Sequence, residues 1–235
     1  MGQILANKIG EYEDLLLIGG VDRTNKGLYS FPVYTNINDI EELPDIIIDF
    51  SVPESTINIL DFCKKYKLPI VIATTGFTQQ ELNFIKECSN FIPIFQSSNM
   101  SYSVNLMKKI VAEIAIHLYD SDIEIIETHH NKKIDAPSGT AKLLADSIND
   151  ALNNQMIYIY NRNNSCSKRQ KNEIGFSSIR GGNIVGEHVV KFFSNSETFE
   201  IKHTSHSREI FAYGAIKAAN FLISKTNGLY DMDDL

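Results

Sequence analysis

Within "ETHHNKKIDAPSGTAK" (residues 127–142) stand two adjacent histidines, His129 and His130, then Lys133 and a Pro-Ser-Gly-Thr turn. An imidazole changes charge near neutral pH and is a natural proton donor. Lys133 adds a flexible cation able to hold a carboxylate or assist proton transfer. Ser138, Gly139 and Thr140 open a helix, whose unpaired amides, Thr140 hydroxyl and dipole together make an anion site. One segment could thus give a proton and bind a small dicarboxylate. A surface loop ahead of a Ser-capped helix would use the same residues, and both readings stand at this level.

The elements around the segment decide how it is presented. "DIEIIETHH" (122–130) reads as a strand and "SGTAKLLADSINDAL" (138–152) as a helix. Neighbouring strand residues point to opposite faces, so His129 and His130 share a pocket only where the strand ends and pleating relaxes. Upstream, residues 15–22, 46–51, 69–74 and 91–97 are near-continuous apolar runs, the pattern of strands buried on both faces of a parallel sheet. Helices fit between them: "PESTINILDFCKKYK" has a proline in its first turn, and "TQQELNFIKEC" opens with Thr78 and Glu81 as a capping box. This rhythm predicts βαβ units and a Rossmann-type doubly wound parallel sheet.

Residues 101–119 predict a longer helix with Met107, Ile110, Val111, Ile114 and Leu118 on its apolar face. From about residue 173, apolar runs joined by Gly and Asn-Ser turns predict a second, α+β domain with a mostly antiparallel sheet, before helix returns over 208–225. The expected division is a dinucleotide-binding domain, 1–101 with 209–235, and a substrate-binding and assembly domain, 102–208. In "RGGNIVGEH", Gly181, Gly182 and Gly186 read as turn residues and Glu187 and His188 as structural.

A doubly wound sheet binds ligands beyond the carboxyl ends of its strands. Asp22 ends the first run, where a Rossmann domain places the acid that grips the adenosine ribose, and Arg23 could meet a 2′-phosphate. An exposed turn pair would have the same spacing. "ATTGF" (73–77) offers small residues, hydroxyls and free amides that would let a nicotinamide ribose approach, as would a plain strand-to-helix turn. "MGQILANKIGEYE" reads as the first helix of such a fold, without a strand or glycine-rich loop ahead of it.

Composition narrows the partners. Of 235 residues, 43% are hydrophobic and 22% charged, with a net charge of −7, which argues against a nucleic-acid surface. No apolar run approaches about 18 residues, so no membrane span is expected. Cys63, Cys88 and Cys166 lack metal-type spacing and read as free thiols of a reducing cytoplasm. His203 and His206 lack two further ligands nearby, so no metal is expected. The polar stretch 161–173 is the candidate mobile loop.

"EIIETHHNKKIDAPSGTA" resembles the signature segment of the bacterial dihydrodipicolinate reductases, also called 4-hydroxy-tetrahydrodipicolinate reductases, of the lysine and diaminopimelate pathway. "IDFSVPEST", "VIATTGF", "SSNMSYSVNL", "RGGNIVGEH", "IKHTSHSREIFAYGAIKAA" and "GLYDMDDL" are similar to that family in the same order, across essentially the whole chain. The resemblance implies His129 as general acid, with Lys133 binding carboxylate and supporting the proton transfer. It implies His130, Gly139 and Thr140 as further substrate contacts. Asp22 and Arg23 would meet the adenosine ribose of NADH or NADPH. Ala73, Thr74 and Thr75, with Ser98, Asn99, Met100 and Ser101, would line the nicotinamide. It also implies a homotetramer built through the second domain's sheet. The family carries a first strand and a glycine-rich turn ahead of "MGQ", so codons upstream of Met1 are expected to encode an apolar run followed by such a turn. Two other readings remain: a reductase of another small acid, and a cofactor-deficient dicarboxylate-binding or assembly subunit from a truncated gene.

Overall fold

A computed structural model describes residues 1–24, 29–163 and 167–235. The chain forms two compact units, Met1–Ser101 with Glu209–Leu235, and Tyr102–Arg208. The first unit begins with helix α1 (Gly2–Ile9), strands β1 (Gly20–Val21), β2 (Val33–Tyr34) and β3 (Ile47–Asp49), helix α2 (Pro53–Tyr66), strand β4 (Ile70–Ile72), helix α3 (Gln79–Cys88) and strand β5 (Pro93–Gln96). The second unit holds α4 (Tyr102–His117), β6 (Asp122–His129), α5 (Gly139–Ala151), β7 (Ile157–Ile159), β8 (Glu173–Arg180), β9 (Gly186–Phe193) and β10 (Thr198–Ser205). The chain returns to the first unit with α6 (Glu209–Leu222) and β11 (Gly228–Tyr230).

In the first unit, β3, β4, β5 and β11 make a parallel sheet in the order β11-β5-β4-β3. Alternate residues of β4 enter different cores: Ile70 and Ile72 pack with Leu60 of α2 and Ile85 of α3, whereas Val71 packs with Ala215 and Leu222 of α6. Both faces being covered, the strand needs no polar alternation, which is why its sequence is a continuous apolar run. Pro53 sits in the first turn of α2, and Thr78 and Glu81 form the expected capping box on α3. The run at 15–22 pairs only over β1, and Leu16 is 83% exposed. β1 pairs in parallel with β2 as a separate two-stranded sheet, so the doubly wound sheet is in two pieces.

In the second unit the five strands run in the order β10-β9-β6-β8-β7. The expected antiparallel arrangement accounts for half of this sheet. β10 with β9 and β9 with β6 are antiparallel, whereas β6 with β8 and β8 with β7 are parallel. Parallel pairing needs long connections, and α5 and the polar stretch of sequence between β7 and β8 are long enough to provide them. That polar stretch is tied down where it is described. Arg169 Nη1 donates to Asp122 at 2.7 Å, and Arg162 Nη1 donates to Glu173 at 2.6 Å. Asn164, Ser165 and Cys166, the last expected as a free thiol, lie outside the described residues. Cys63 and Cys88 are buried free thiols.

Helices α4 and α5 cover one face of this sheet, with Met107, Val111, Ala115, Leu144 and Ile148 packed over Ile123, Ile125, Ile174 and Phe192. Ile110, expected on the buried face of α4, is 40% exposed instead. The buried stripe follows the spacing of four through Met107, Val111 and Ala115, which turns position 110 toward solvent. Among the described residues no helix is long and apolar enough to cross a membrane.

The turn after β5 is held against α6 through a glycine. A Cβ at Gly214 would lie 1.6 Å from the Met100 carbonyl oxygen, so only glycine allows this approach. Gly214→Ala is expected to destabilise the first unit by at least about 3 kcal/mol, the upper end of ordinary overpacking costs, read as a lower urea midpoint.

Candidate active site

Strand β6 alternates buried and half-buried along its length, with Ile123, Ile125, Glu127 and His129 on the buried face. The first two fill the core beneath α4 and α5. The last two carry the same periodicity into the carboxyl end of the strand, where the face becomes polar. Glu127 is 1% exposed and lies beside Ser178 of β8 and His188 of β9 in register, while His129 lies beside Arg180.

These side chains interlock. Glu127 Oε2 and His129 Nδ1 are 2.5 Å apart. Arg180 donates to both oxygens of Glu127, Nη1 to Oε2 at 2.9 Å and Nη2 to Oε1 at 2.7 Å, the bidentate geometry that suits guanidinium to carboxylate. The Ser138 amide adds a bond to Oε1 at 3.3 Å. The ring of His188 meets that of His129 edge to face, 5.1 Å between centroids, and its Nε2 is 2.9 Å from Ser138 Oγ. A Cβ at Gly186 would lie 3.1 Å from His129 Nε2, so the absence of a side chain there leaves room for the ring.

The loop after β6 is fixed from the same cluster. The Gly181 amide donates to the His129 carbonyl at 2.9 Å, and the Asn131 amide to the Gly182 carbonyl at 3.2 Å. Arg180 Nη2 also donates to the Asp135 carbonyl at 2.7 Å, and Lys133 Nζ donates to the Asp135 carboxylate at 2.8 Å. A cis Ala136–Pro137 bond precedes Ser138, which caps α5 by accepting from the Ala141 amide at 3.1 Å. Gly139 is exposed at the first turn of α5, and Thr140 is half-buried beside it. His130 is half-buried, one residue past the strand.

Burial and charge then set the protonation states. Burial works to raise the Glu127 carboxyl, but hydrogen bonds from Arg180, Ser178 and His129 outweigh it and hold the group at about 2. Burial pushes the His129 imidazole below its ordinary value; Lys133 and Arg180 push the same way and Glu127 opposes them. Burial, with His129 next to it, drives His188 down to about 3, and burial also lowers His203. The site is therefore a charged carboxylate and guanidinium beside two neutral imidazoles. Arg180 Nε, His188 Nδ1 and His203 Nδ1 are buried without a partner among the described residues. Among those residues no group of three or more His, Cys, Asp or Glu side chains could hold a metal ion.

The cofactor candidates lie in the first unit, past the carboxyl ends of parallel strands. Asp22 follows β1, exposed, with Oδ1 accepting from the Thr24 amide at 3.0 Å, and Arg23 is exposed next to it. Ala73, Thr74 and Thr75 follow β4. The Thr74 hydroxyl is taken inward, donating to the buried Asp49 Oδ2 at 3.0 Å and accepting from the Ser51 amide at 2.9 Å. Thr75 is exposed, and Gly76, at φ +90°, has open space where a side chain would stand. After β5, Ser98 is exposed and Asn99 half-buried, with the Asn99 side chain accepting from the Ser101 amide at 2.9 Å. Met100 and Ser101 are buried, and Met100 belongs to the core beneath α6. This donor set fits a nicotinamide dinucleotide: an exposed carboxylate for a ribose diol, and an open, glycine-bearing turn for close approach.

The structure thus joins His129 to its surroundings through Glu127, Arg180 and His188, which the sequence does not single out for chemistry, and through Ser138, which it marks only as part of the helix-end anion site. A Glu two residues before a His on a strand, in "ETH", is the signal that would have found Glu127. Arg180 and His188 carry no local signal.

The fold is a Rossmann-type parallel sheet with a second, mixed-sheet unit, and a solved probable dehydrogenase from Thermotoga maritima shares it with a TM-score of 0.65 at 9% identity, over 99% of this chain and 89% of that one. The family models for dihydrodipicolinate reductase match residues 1–100 with the N-terminal part and residues 103–235 with the C-terminal part. The chain belongs to the dihydrodipicolinate reductase family. The 4-hydroxy-tetrahydrodipicolinate reductase of Clostridium tetani is 47% identical over 234 residues, covering 99% of this chain and 91% of the relative. That of Caldanaerobacter subterraneus subsp. tengcongensis is 46% identical over 235 residues, covering 100% and 93%. The solved dipicolinate-bound dihydrodipicolinate reductase from Paenisporosarcina sp. TG-14 shares the fold with a TM-score of 0.81 at 24% identity, covering 100% of this chain and 95% of that one.

The buried imidazoles make stability depend on pH in a definite direction. With His188 at about 3 in the folded chain and near 6.5 when unfolded, the unfolded state takes up its proton first as pH falls. His129 and His203, also lowered, act in the same sense. Their contribution is complete above pH 6.5 and is lost progressively below it. The urea midpoint of the second unit is expected to drop between pH 7.5 and 5, and His188→Asn to flatten that slope.

Proposed function

We propose that the protein reduces 4-hydroxy-tetrahydrodipicolinate to tetrahydrodipicolinate with NADH or NADPH and one proton, releasing the oxidised dinucleotide and the 4-hydroxyl as water, as a cytoplasmic homotetramer. The observation that carries this reading is the proximity, in one segment, of a proton-bearing imidazole on a buried carboxylate, a lysine, and a capped helix N-terminus. A small dianion with a reducible ring is the substrate such a set can hold.

When bound, the reduced nicotinamide supplies a hydride; the chain supplies charge, orientation and a proton. Asp22 hydrogen-bonds the adenosine ribose, and Arg23 accommodates a 2′-phosphate, so both dinucleotides are accepted. The turn at Ala73, Thr74 and Thr75 and the turn at Ser98, Asn99, Met100 and Ser101 line the nicotinamide. Thr74 and Met100 act there through their backbone, since their side chains point into the unit's interior. Lys133 exchanges its Asp135 partner for one substrate carboxylate. The first-turn amides of α5 at Gly139 and Thr140 hold the other, with the Ser138 cap keeping the helix end open. His130 contacts the substrate beside them. His129 is uncharged in the free protein because it is buried among cations. Two arriving carboxylates reverse that balance, so the substrate itself favours the protonated ring that delivers its proton as charge develops.

The test is nicotinamide oxidation by the purified chain with substrate generated in place. Turnover is expected, and His129→Asn should lower kcat by about 10²- to 10⁴-fold, the usual contribution of a general acid. Lys133→Met should raise KM by about 10- to 100-fold through loss of a charge-assisted contact. Asp135→Asn should lower KM, because Lys133 no longer has to leave an ion pair. Binding of pyridine-2,6-dicarboxylate without any turnover, in the presence of either dinucleotide, would contradict the proposal and favour a binding subunit.

A further inference from the structure

Nothing in the chemistry of a general acid says which of its two ring nitrogens must carry the transferable proton, yet only one can face a substrate. In this site the choice is built into β6 and β8. We infer that Glu127, locked by Arg180, is the positioning residue that holds a proton on His129 Nδ1 and so reserves Nε2 for delivering protons to the substrate. This deepens the proposed function and rests on His129 being the proton donor.

An ionised carboxylate can only accept. Glu127 faces Arg180 through both oxygens and His129 Nδ1 through Oε2. The Ser138 amide takes a further position on Oε1. Its other partners are therefore donors, and His129 must present a donor too, placing N–H on Nδ1 and leaving Nε2 as the nitrogen that gains and loses a proton. Turning the ring about Cβ–Cγ would break the 2.5 Å contact and set a carbon against the carboxylate, so Nδ1 stays at Glu127. Burial keeps the arrangement dry, with Glu127 at 1% exposure and His129 at 8%. The other charged or titratable groups facing the ring are Arg180 from β8, His188 from β9 and Lys133 from the following loop, the last paired with Asp135. Glu127 is the one anion among them that bonds the ring.

Glu127→Gln is nearly isosteric and inverts this logic. An amide has one accepting oxygen, which Arg180 would claim, and the NH₂ group would then face Nδ1. His129 would have to accept there, carry its proton on Nε2 when neutral, and charge only against an opposing N–H. A wrong tautomer of this kind disables a catalytic imidazole without displacing it.

The experiment uses the full chain labelled with ¹⁵N-histidine, with His129 assigned by its disappearance in His129→Asn. At pH 8 the wild-type ring is expected to show the proton on Nδ1, and the Glu127→Gln ring on Nε2. In the variant, kcat should fall about 10²- to 10³-fold, with KM within about threefold and the ring titrating at lower pH than in wild type. A wild-type proton on Nε2, or an unchanged tautomer in Glu127→Gln, would overturn the inference. Should Glu127→Gln not fold, the wild-type spectrum still decides. Should the wild-type chain reduce no substrate, the proposed function fails while the spectra continue to judge Glu127.

Discussion

The second unit is organised around one buried carboxylate. Taking an ionised Glu127 out of water costs several kcal/mol, and that cost is offset only if every oxygen lone pair meets a well-placed donor. Arg180, His129 and the Ser138 amide meet it from three different stretches of chain. Each is thereby constrained. β6 and β8 must pair in the register that sets Glu127 near Arg180, and the loop must return α5 so that its first residues approach β6. Such a pair is weak evidence for added stability; its effect is on geometry, because any slip leaves a charge buried and unpaired.

That constraint connects to chemistry through the residues fastened to it. Arg180 reaches the Asp135 carbonyl as well as Glu127, so the loop carrying Lys133 and the ring of His129 share one anchor. Ser138 belongs to both the carboxylate's donor set and the cap of α5, so the start of that helix is positioned by the same contact. His129, Lys133 and the N-terminus of α5 are consequently tied to one anchor, which is what the proposed reaction on a small rigid dianion requires. The first unit shows a parallel device. Asp49, itself buried, binds Ser51, Thr56 and Thr74 and so ties the ends of β3 and β4 to the start of α2.

Much of this was legible in the sequence because it depends on local pattern. The continuous apolar runs mark β3, β4 and β5, since helices on both faces remove any need for alternation. The capping box at Thr78 is a purely local signal and stands as read. The strands β2 (Val-Tyr) and β11 (Gly-Leu-Tyr) lie in no continuous apolar run of the kind that marks β3 and β4, so nothing local signals them. Ile110 misled because five apolar residues at helical spacing cover more of α4 than the sheet below can bury. The candidate residues were legible as a motif, and their partners were not. Glu127 looks like any strand glutamate until its burial is known, and Arg180 lies 53 residues away in the chain. Thr74 and Met100 show the converse limit: a turn sequence marks them as cofactor candidates without saying that their side chains are already engaged by Asp49 and by the core.

The central claim is that the site holds His129 uncharged until a dicarboxylate arrives. Calorimetric titration with pyridine-2,6-dicarboxylate at pH 7.5, in two buffers of different ionisation enthalpy, tests it most directly. The account predicts uptake of up to about one proton per site on binding, because opposite charges favour the protonated ring, and loss of that uptake in His129→Asn. Binding with no proton uptake, or uptake that survives His129→Asn, would contradict it.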